Sequence, residues 1–255
     1  MENRTWELFL ELFTSLPRQG PGNKESAEHA LEFCKDLPSR PRIIDLGCGT
    51  GAQTLYLWEL TKGSITAIDT YEKSIQTLQE RIREHKLGLD IQALVGDMAD
   101  LMNTPIGDEP YDLVWSEGAM YQITLPKALD LARNLLKPSG YLVFTDAVWL
   151  KNNPPKEIMN SFHEDYPEMG TIDTVLHHIT QTGLTPIHHF ALPDSAWWTD
   201  FYTPMEEQIL EMRKTYHSDF QALNILNDLA REPELHRNYH EYYGYEYFIV
   251  QKLLE

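Results

Sequence analysis

The chain is short of cysteine, of basic residues and of long apolar runs, and each shortage excludes a class of protein. Only Cys34 and Cys48 occur in 255 residues, which excludes a disulfide-stapled secreted scaffold and fits a reducing cytoplasm. With 21 Lys and Arg against 39 Asp and Glu, the formal net charge is -18 at pH 7. A nucleic acid is therefore an unfavourable partner, because binding its backbone takes a basic face that displaces counterions. The acidity is most simply a device for solubility. No stretch approaches the roughly 20 apolar residues that cross a bilayer. Glu2, Arg4, Glu7 and Glu11 interrupt the apolar residues at the N-terminus, so neither a signal peptide nor a membrane partner is expected. Internal repeats and low-complexity tracts are absent too. No metal is expected, since the adjacent pairs His177-His178 and His188-His189 point apart on a helix or strand.

What is present is an alternation of helical and strand periodicities, long enough at 42% hydrophobic content for one α/β core. Trp6, Leu8, Phe9, Leu12, Phe13 and Leu16 form an apolar helical stripe, ended by the Pro- and Gly-rich stretch 17–22. A second helix runs through Ala27, Ala30, Leu31 and Cys34. Strands follow at 43–46, 65–68, 91–95, 111–115 and 141–144, separated by helices at 54–60, around Ile75, Leu78 and Ile82, and through Leu125, Leu129 and Leu135. This rhythm predicts a parallel sheet with helices on both faces. A further helix with Ile172, Val175 and Ile179, a sixth strand at 187–192 and a last one at 245–250 complete the chain. The residues between those last two strands read as an insertion, with a solvated helix over 206–214.

The most informative segment is Ile43-Ile44-Asp45-Leu46-Gly47-Cys48-Gly49-Thr50-Gly51. A buried strand ends in a carboxylate and passes into a turn of alternating glycines, where main chain can approach a ligand closely. The spacing Gly47, Gly49, Gly51 departs from the dinucleotide fingerprint, and Asp45 suits a cation better than a diphosphate. This segment resembles motif I of the class I S-adenosylmethionine-dependent methyltransferases. Asp69 closes the second strand near the offset at which a carboxylate meets ribose hydroxyls, its two acceptor oxygens matching two vicinal donors. The resemblance implies that S-adenosyl-L-methionine is the cofactor, held by Asp45, Gly47, Cys48, Gly49, Gly51, Asp69, Thr70, Gly96, Asp97, Met98 and Ser116. Within that set, Asp97 would accept from the adenine amino group and Met98 would pack near the ring.

Methyl transfer needs alignment and exclusion of water more than elaborate catalysis, so catalytic signatures are faint. The resemblance places Ser116-Glu117-Gly118-Ala119-Met120-Tyr121 where acceptor meets methyl group. It makes Glu117 the expected general base or counter-charge, with Tyr121 beside it. Aromatic residues gather where an acceptor would sit, and Trp149, Trp197, Trp198 and Tyr202 are the expected substrate contacts. Arg18, in the 17–22 loop, is placed to reach a carboxylate if that loop closes as a lid. The flanking motifs Leu16-Pro17-Arg18-Gln19-Gly20-Pro21-Gly22, Trp115-Ser116-Glu117-Gly118-Ala119 and Glu241-Tyr242-Tyr243-Gly244-Tyr245 resemble a small-molecule branch near the ubiquinone and menaquinone biosynthesis methyltransferases. Asn153-Pro154-Pro155 is similar to the Asn-Pro-Pro-aromatic motif of amino methyltransferases, but it follows the fifth strand and carries Lys156 in place of the aromatic residue.

The expectation is thus one methyltransferase domain over 1–255, with a Rossmann-like, seven-stranded, mostly parallel sheet. Residues 1–38 would form a helical lid, 39–192 the core, 193–242 a helical cap inserted before the last strand, and 243–255 that strand. Its function would be methyl transfer to a small-molecule acceptor in the cytoplasm. A sensor that binds the cofactor or its product without transfer is one alternative, and methylation of a protein or RNA is another. The acceptor atom stays open, and a homodimer is one assembly that the sequence admits.

Overall fold

Apolar, β-branched segments pair into a single seven-stranded sheet in a computed structural model that describes residues 2–253, apart from the side chains of Glu2, Asn3 and Glu164. Residues 1, 254 and 255 of the expected lid and last-strand ranges lie outside the described residues. In chain order the elements begin with helices α1 (Glu2–Ser15) and α2 (Lys24–Leu31). The core follows as β1 (Arg42–Leu46), α3 (Ala52–Thr61), β2 (Ser64–Asp69), α4 (Glu72–Glu84), β3 (Ile91–Val95), β4 (Tyr111–Glu117), α5 (Leu125–Leu135) and β5 (Leu136–Trp149). Then come α6 (Lys156–Asp165), α7 (Ile172–Gln181) and β6 (Thr185–Ala191). Four helices precede the last strand: the single turn α8 (Ser195–Trp197), α9 (Thr203–Thr215), α10 (Phe220–Leu229) and α11 (Arg231–Tyr239), followed by β7 (Tyr243–Gln251).

The strand order is β3-β2-β1-β4-β5-β7-β6, with β7 antiparallel to both neighbours and the other pairings parallel. This is the expected Rossmann-like, mostly parallel architecture. Alternation along each strand sends Ile43, Ile65, Trp115 and Ile249 into the layer formed with α1 to α4 and the four helices before β7. Ile44, Ile68, Val114 and Phe248 point the other way, into a second layer with α5 and α7. The chain leaves β1 towards β2 and β3 and later returns to β4 on the opposite side. That reversal opens a crevice beyond the C-terminal ends of β1 and β4, the switch point at which doubly wound sheets take ligands.

Two elements differ from the sequence reading. The fifth strand runs on to Trp149 rather than stopping at Phe144, because its polar continuation is buried and satisfied. Thr145 Oγ1 accepts from Gly118 N at 2.9 Å, and Asp146 Oδ2 accepts from Tyr166 Oη at 2.9 Å. Helix α6 was also not anticipated: among its described side chains only Ile158 is fully covered, so its apolar periodicity is weak.

The first turn of α3 depends on Gly51, whose φ of 86° lies in the left-handed region and whose Cβ, if present, would stand 2.1 Å from Leu78 Cδ1 in the core. Gly51→Ala is expected to lower folding stability by about 1–3 kcal/mol, from the left-handed penalty plus displacement of Leu78. Urea denaturation followed by circular dichroism checks this, and an unchanged midpoint would contradict it.

Candidate active site

The crevice is floored by the glycine turn. Gly47 N and Cys48 N both donate to Ile68 O at 2.9 Å, folding the turn back over the end of β2. Gly47 has φ of 73°, and a Cβ there would lie 2.3 Å from the Cβ of Ala119, so only glycine lets the β1 and β4 loops approach this closely. Asp69 joins the turn to the next helix: Oδ2 accepts from Gly49 N at 2.9 Å and Oδ1 from Tyr71 N at 2.9 Å. A carboxylate has about four lone-pair sites, so each oxygen keeps capacity for a ligand hydroxyl. Beyond β3, Asp97 is exposed and accepts from Ala99 N at 2.8 Å, while Met98 is buried beside it. A Cβ at Gly96 would meet nothing within 4 Å, so open space adjoins this edge.

The N-terminal segment is clamped over the crevice by a buried polar node. Arg18 Nη2 donates to Glu117 Oε2 at 2.6 Å, and the two side chains are 6% and 1% exposed. Arg18 Nη1 donates to Tyr56 Oη at 2.7 Å, and Tyr56 Oη in turn donates to Glu117 Oε1 at 2.6 Å. Trp115 Nε1 reaches the same Oε1 at 2.8 Å. Next to Arg18, Gln19 Oε1 accepts from Thr50 N at 2.8 Å and Thr50 Oγ1 at 3.0 Å, pinning the 17–22 loop to the glycine turn. Both Glu117 oxygens are thus engaged by protein donors, so the geometry makes this carboxylate an anchor for the loop. Acting as the general base or counter-charge expected from the sequence would cost it the Arg18 pairing.

Between the turn and the four helices before β7 lies a cavity of about 1040 Å³. Of the residues singled out from sequence, Gly47, Cys48, Gly49, Asp69, Thr70, Gly96, Asp97, Met98, Glu117, Tyr121, Arg18, Trp197 and Tyr202 line it. Five do not. Asp45 is 0% exposed beneath the turn, accepting from Thr54 Oγ1 at 2.6 Å and Gln53 Nε2 at 3.4 Å. Gly51 is the buried helix cap already described. Ser116 Oγ donates to Leu46 O at 2.9 Å, stitching β4 to β1 inside the sheet. Trp149 donates from Nε1 to Met169 O at 3.1 Å and packs edge-on against Phe162. Trp198 stacks under Arg237, 4.4 Å from ring centroid to guanidinium carbon, away from the cavity.

Sequence reasoning missed Gln53, Tyr56, Tyr166 and Glu232. Gln53 lines the cavity and donates to Gly47 O at 3.3 Å. Tyr56 was hidden in the apolar pattern of its helix. A signal for the node was nonetheless present, because Trp115 and Glu117 are two apart on a strand and share a face. Burial pushes Asp45 up to about 7, with repulsion from Glu117 and Asp69 adding to it and hydrogen bonds from Thr54 and Gln53 opposing it. Desolvation likewise raises Asp146 to about 7, against its bond from Tyr166. Among the described residues, no cluster of three or more His, Cys, Asp or Glu side chains is arranged to hold a metal.

Residues 38–208 match the family described as a methyltransferase domain. The chain belongs to that methyltransferase family. It is 31% identical over 137 residues to the uncharacterized methyltransferase YodH of Bacillus subtilis, covering 54% of this chain and 56% of that one. It is 28% identical over 156 residues to the glycine/sarcosine/dimethylglycine N-methyltransferase of Actinopolyspora halophila, covering 60% of this chain and 27% of the relative. The chain therefore spans about half or less of the length of these curated relatives. A solved methyltransferase of Geobacter sulfurreducens, in complex with S-adenosyl-L-homocysteine, shares the fold with a TM-score of 0.80 and 16% identity, over 96% of this chain and 97% of that one.

The residues present fit S-adenosylmethionine. The glycine floor admits close approach of a ligand, Asp69 retains acceptor capacity for a ribose diol, and Asp97 with Met98 offers an acceptor and an apolar surface for adenine.

Arg18→Met leaves the Glu117 carboxylate buried and unpaired, and is expected to cost about 3–5 kcal/mol in urea unfolding. A loss under 1 kcal/mol would mean that the node is not closed in solution. Asp45 binds a proton more tightly folded than unfolded, so its contribution to stability is full below about pH 4 and is lost as pH rises to about 7. The wild-type urea midpoint should therefore fall more steeply than that of Asp45→Asn across this range. Parallel curves for the two proteins would refute this assignment.

Proposed function

We propose that this protein transfers a methyl group from S-adenosylmethionine to a small-molecule acceptor. The observation that carries the reading is the Asp69 carboxylate, tied to the main chain of the glycine turn at the β1/β4 switch point and open to the cavity. When bound, S-adenosylmethionine supplies a methyl group already activated on a sulfonium. On this reading Gly47, Cys48 and Gly49 present main chain to its amino-acid portion, and Asp69 with Thr70 holds the ribose. Gly96, Asp97 and Met98 frame the adenine. Tyr121, Trp197 and Tyr202 wall the acceptor side, and the Arg18–Glu117 pair keeps the loop down beside the glycine turn, which fixes the alignment there.

The cavity extends well past the glycine turn to the helices before β7, which favours an enzyme with a second ligand over a sensor of the cofactor alone. Residues 1–38 then serve as the lid, 39–192 as the core and 193–242 as the cap. The net charge of -18 supports a partner other than nucleic acid, and two free, buried thiols support a cytoplasmic location. Homodimerisation is part of the proposal only as an assembly to be measured by sedimentation.

Calorimetry should give micromolar binding of S-adenosylhomocysteine. Asp69→Ala should weaken it by roughly 100-fold, the scale of two hydrogen bonds to a charged group. Radiolabelled S-adenosylmethionine should pass its methyl group to a component of a metabolite extract. Absence of binding to folded protein would end the reading, and binding without any labelled product would favour the sensor.

A further inference from the structure

The half of the cavity remote from the glycine turn is walled by rings and carboxyls together. Tyr121, Tyr166, Tyr202, Tyr243, Tyr245 and Trp197 supply the rings. Asp165 at the end of α6 and Glu232 in the first turn of α11 supply acids that act on those tyrosines electrostatically: Glu232 on Tyr121, Tyr202, Tyr243 and Tyr245, and Asp165 on Tyr121. Among the described lining residues, the cationic side chains are Arg18 and Arg231, and each already sits against a carboxylate, Glu117 and Glu157 respectively. Among the described residues Glu232 is in no ion pair, and its Oε1 accepts from the Tyr202 hydroxyl at 3.2 Å. A chamber bounded by negative ring faces and an uncompensated carboxylate attracts a cation and repels an anion.

We propose that this end of the cavity seats the acceptor as a protonated amine, with Glu232 as its counter-charge and the tyrosine rings as its walls. The inference rests on the methyl-transfer reading above and names the chemical class of its substrate. An ammonium has no lone pair, so the bound amine first gives a proton to the adjacent carboxylate. The freed pair then forms the nitrogen–carbon bond as the carbon–sulfur bond breaks, with the breaking bond's electrons remaining on sulfur as a neutral thioether. Water reaches Glu232 through the open cleft. Desolvation by the surrounding walls, with repulsion from Asp165 and against the bond from Tyr202, raises its carboxyl above the ordinary range, so that it can take up the amine's proton. A neutral hydroxyl or carbon acceptor gains no such ion pair on binding, which separates it from an ammonium.

The test uses the full chain saturated with S-adenosylhomocysteine, whose own binding is measured first. Calorimetric titrations then compare amines with neutral compounds of matched shape: N,N-dimethylethanolamine against 3-methylbutanol, and tyramine against 4-propylphenol. In at least one pair the amine should bind about tenfold or more tightly, and Glu232→Gln should remove that preference while leaving S-adenosylhomocysteine binding unchanged. Asp165→Asn, expected to reduce the preference less, serves if the first variant does not fold. Equal affinity within both pairs, or an amine preference that survives Glu232→Gln, would overturn the assignment. Failure of S-adenosylhomocysteine to bind at all would instead bring down the methyl-transfer reading beneath it.

Discussion

A buried carboxylate, Glu117, holds together three parts of the molecule that sequence keeps far apart. Arg18 arrives from the N-terminal loop, Tyr56 from the helix behind the glycine turn, and Trp115 from the same strand. Such a node is a poor source of net stability, because desolvating two charges offsets most of their attraction. Its value is in specificity. The donors of Arg18, Tyr56 and Trp115 are satisfied together at one geometry, which fixes where the loop docks.

The polar chemistry of the crevice is arranged by depth. Asp45 lies beneath the turn, where burial tends to protonate its carboxyl and the hydrogen bonds donated by Thr54 and Gln53 oppose that tendency. Asp69 lies at the surface of the turn, where main-chain amides orient it without exhausting its oxygens. Two carboxylates that look equivalent as strand-end residues are therefore placed differently: one is buried beneath the turn, and the other lines the cavity.

Much of this was legible in the sequence. Strand periods, the glycine turn and the breakers predict the sheet, because alternation and left-handed turns are local properties that leave residue-level signatures. The same locality explains why Gly47, Gly49, Asp69, Asp97 and Met98, all of which line the cavity, stand out in the sequence: they sit at strand ends in chain order. Aromatic residues fared unevenly. Trp197 and Tyr202 line the cavity, whereas Trp149 and Trp198, equally prominent in sequence, bury against Phe162 and Arg237. Nothing within a few residues of a tryptophan reveals which way its ring turns. Thr145 and Asp146 misled for a related reason: polar side chains imitate a strand end unless partners from distant segments satisfy them.

By itself the sequence determined the order of helices and strands and the glycine turn, because these follow from periodicity and short-range backbone geometry, and the resemblance of that turn to motif I pointed to the methyltransferase family that the match over residues 38–208 shows. Tertiary structure alone decided that Glu117 is an anchor, that Asp45 is buried support, and that Glu232 joins Tyr121 and Tyr245 around one chamber. Those relations depend on side chains from different elements, as far as 99 positions apart for Arg18 and Glu117, meeting in space, where each group's charge and role are set by its neighbours.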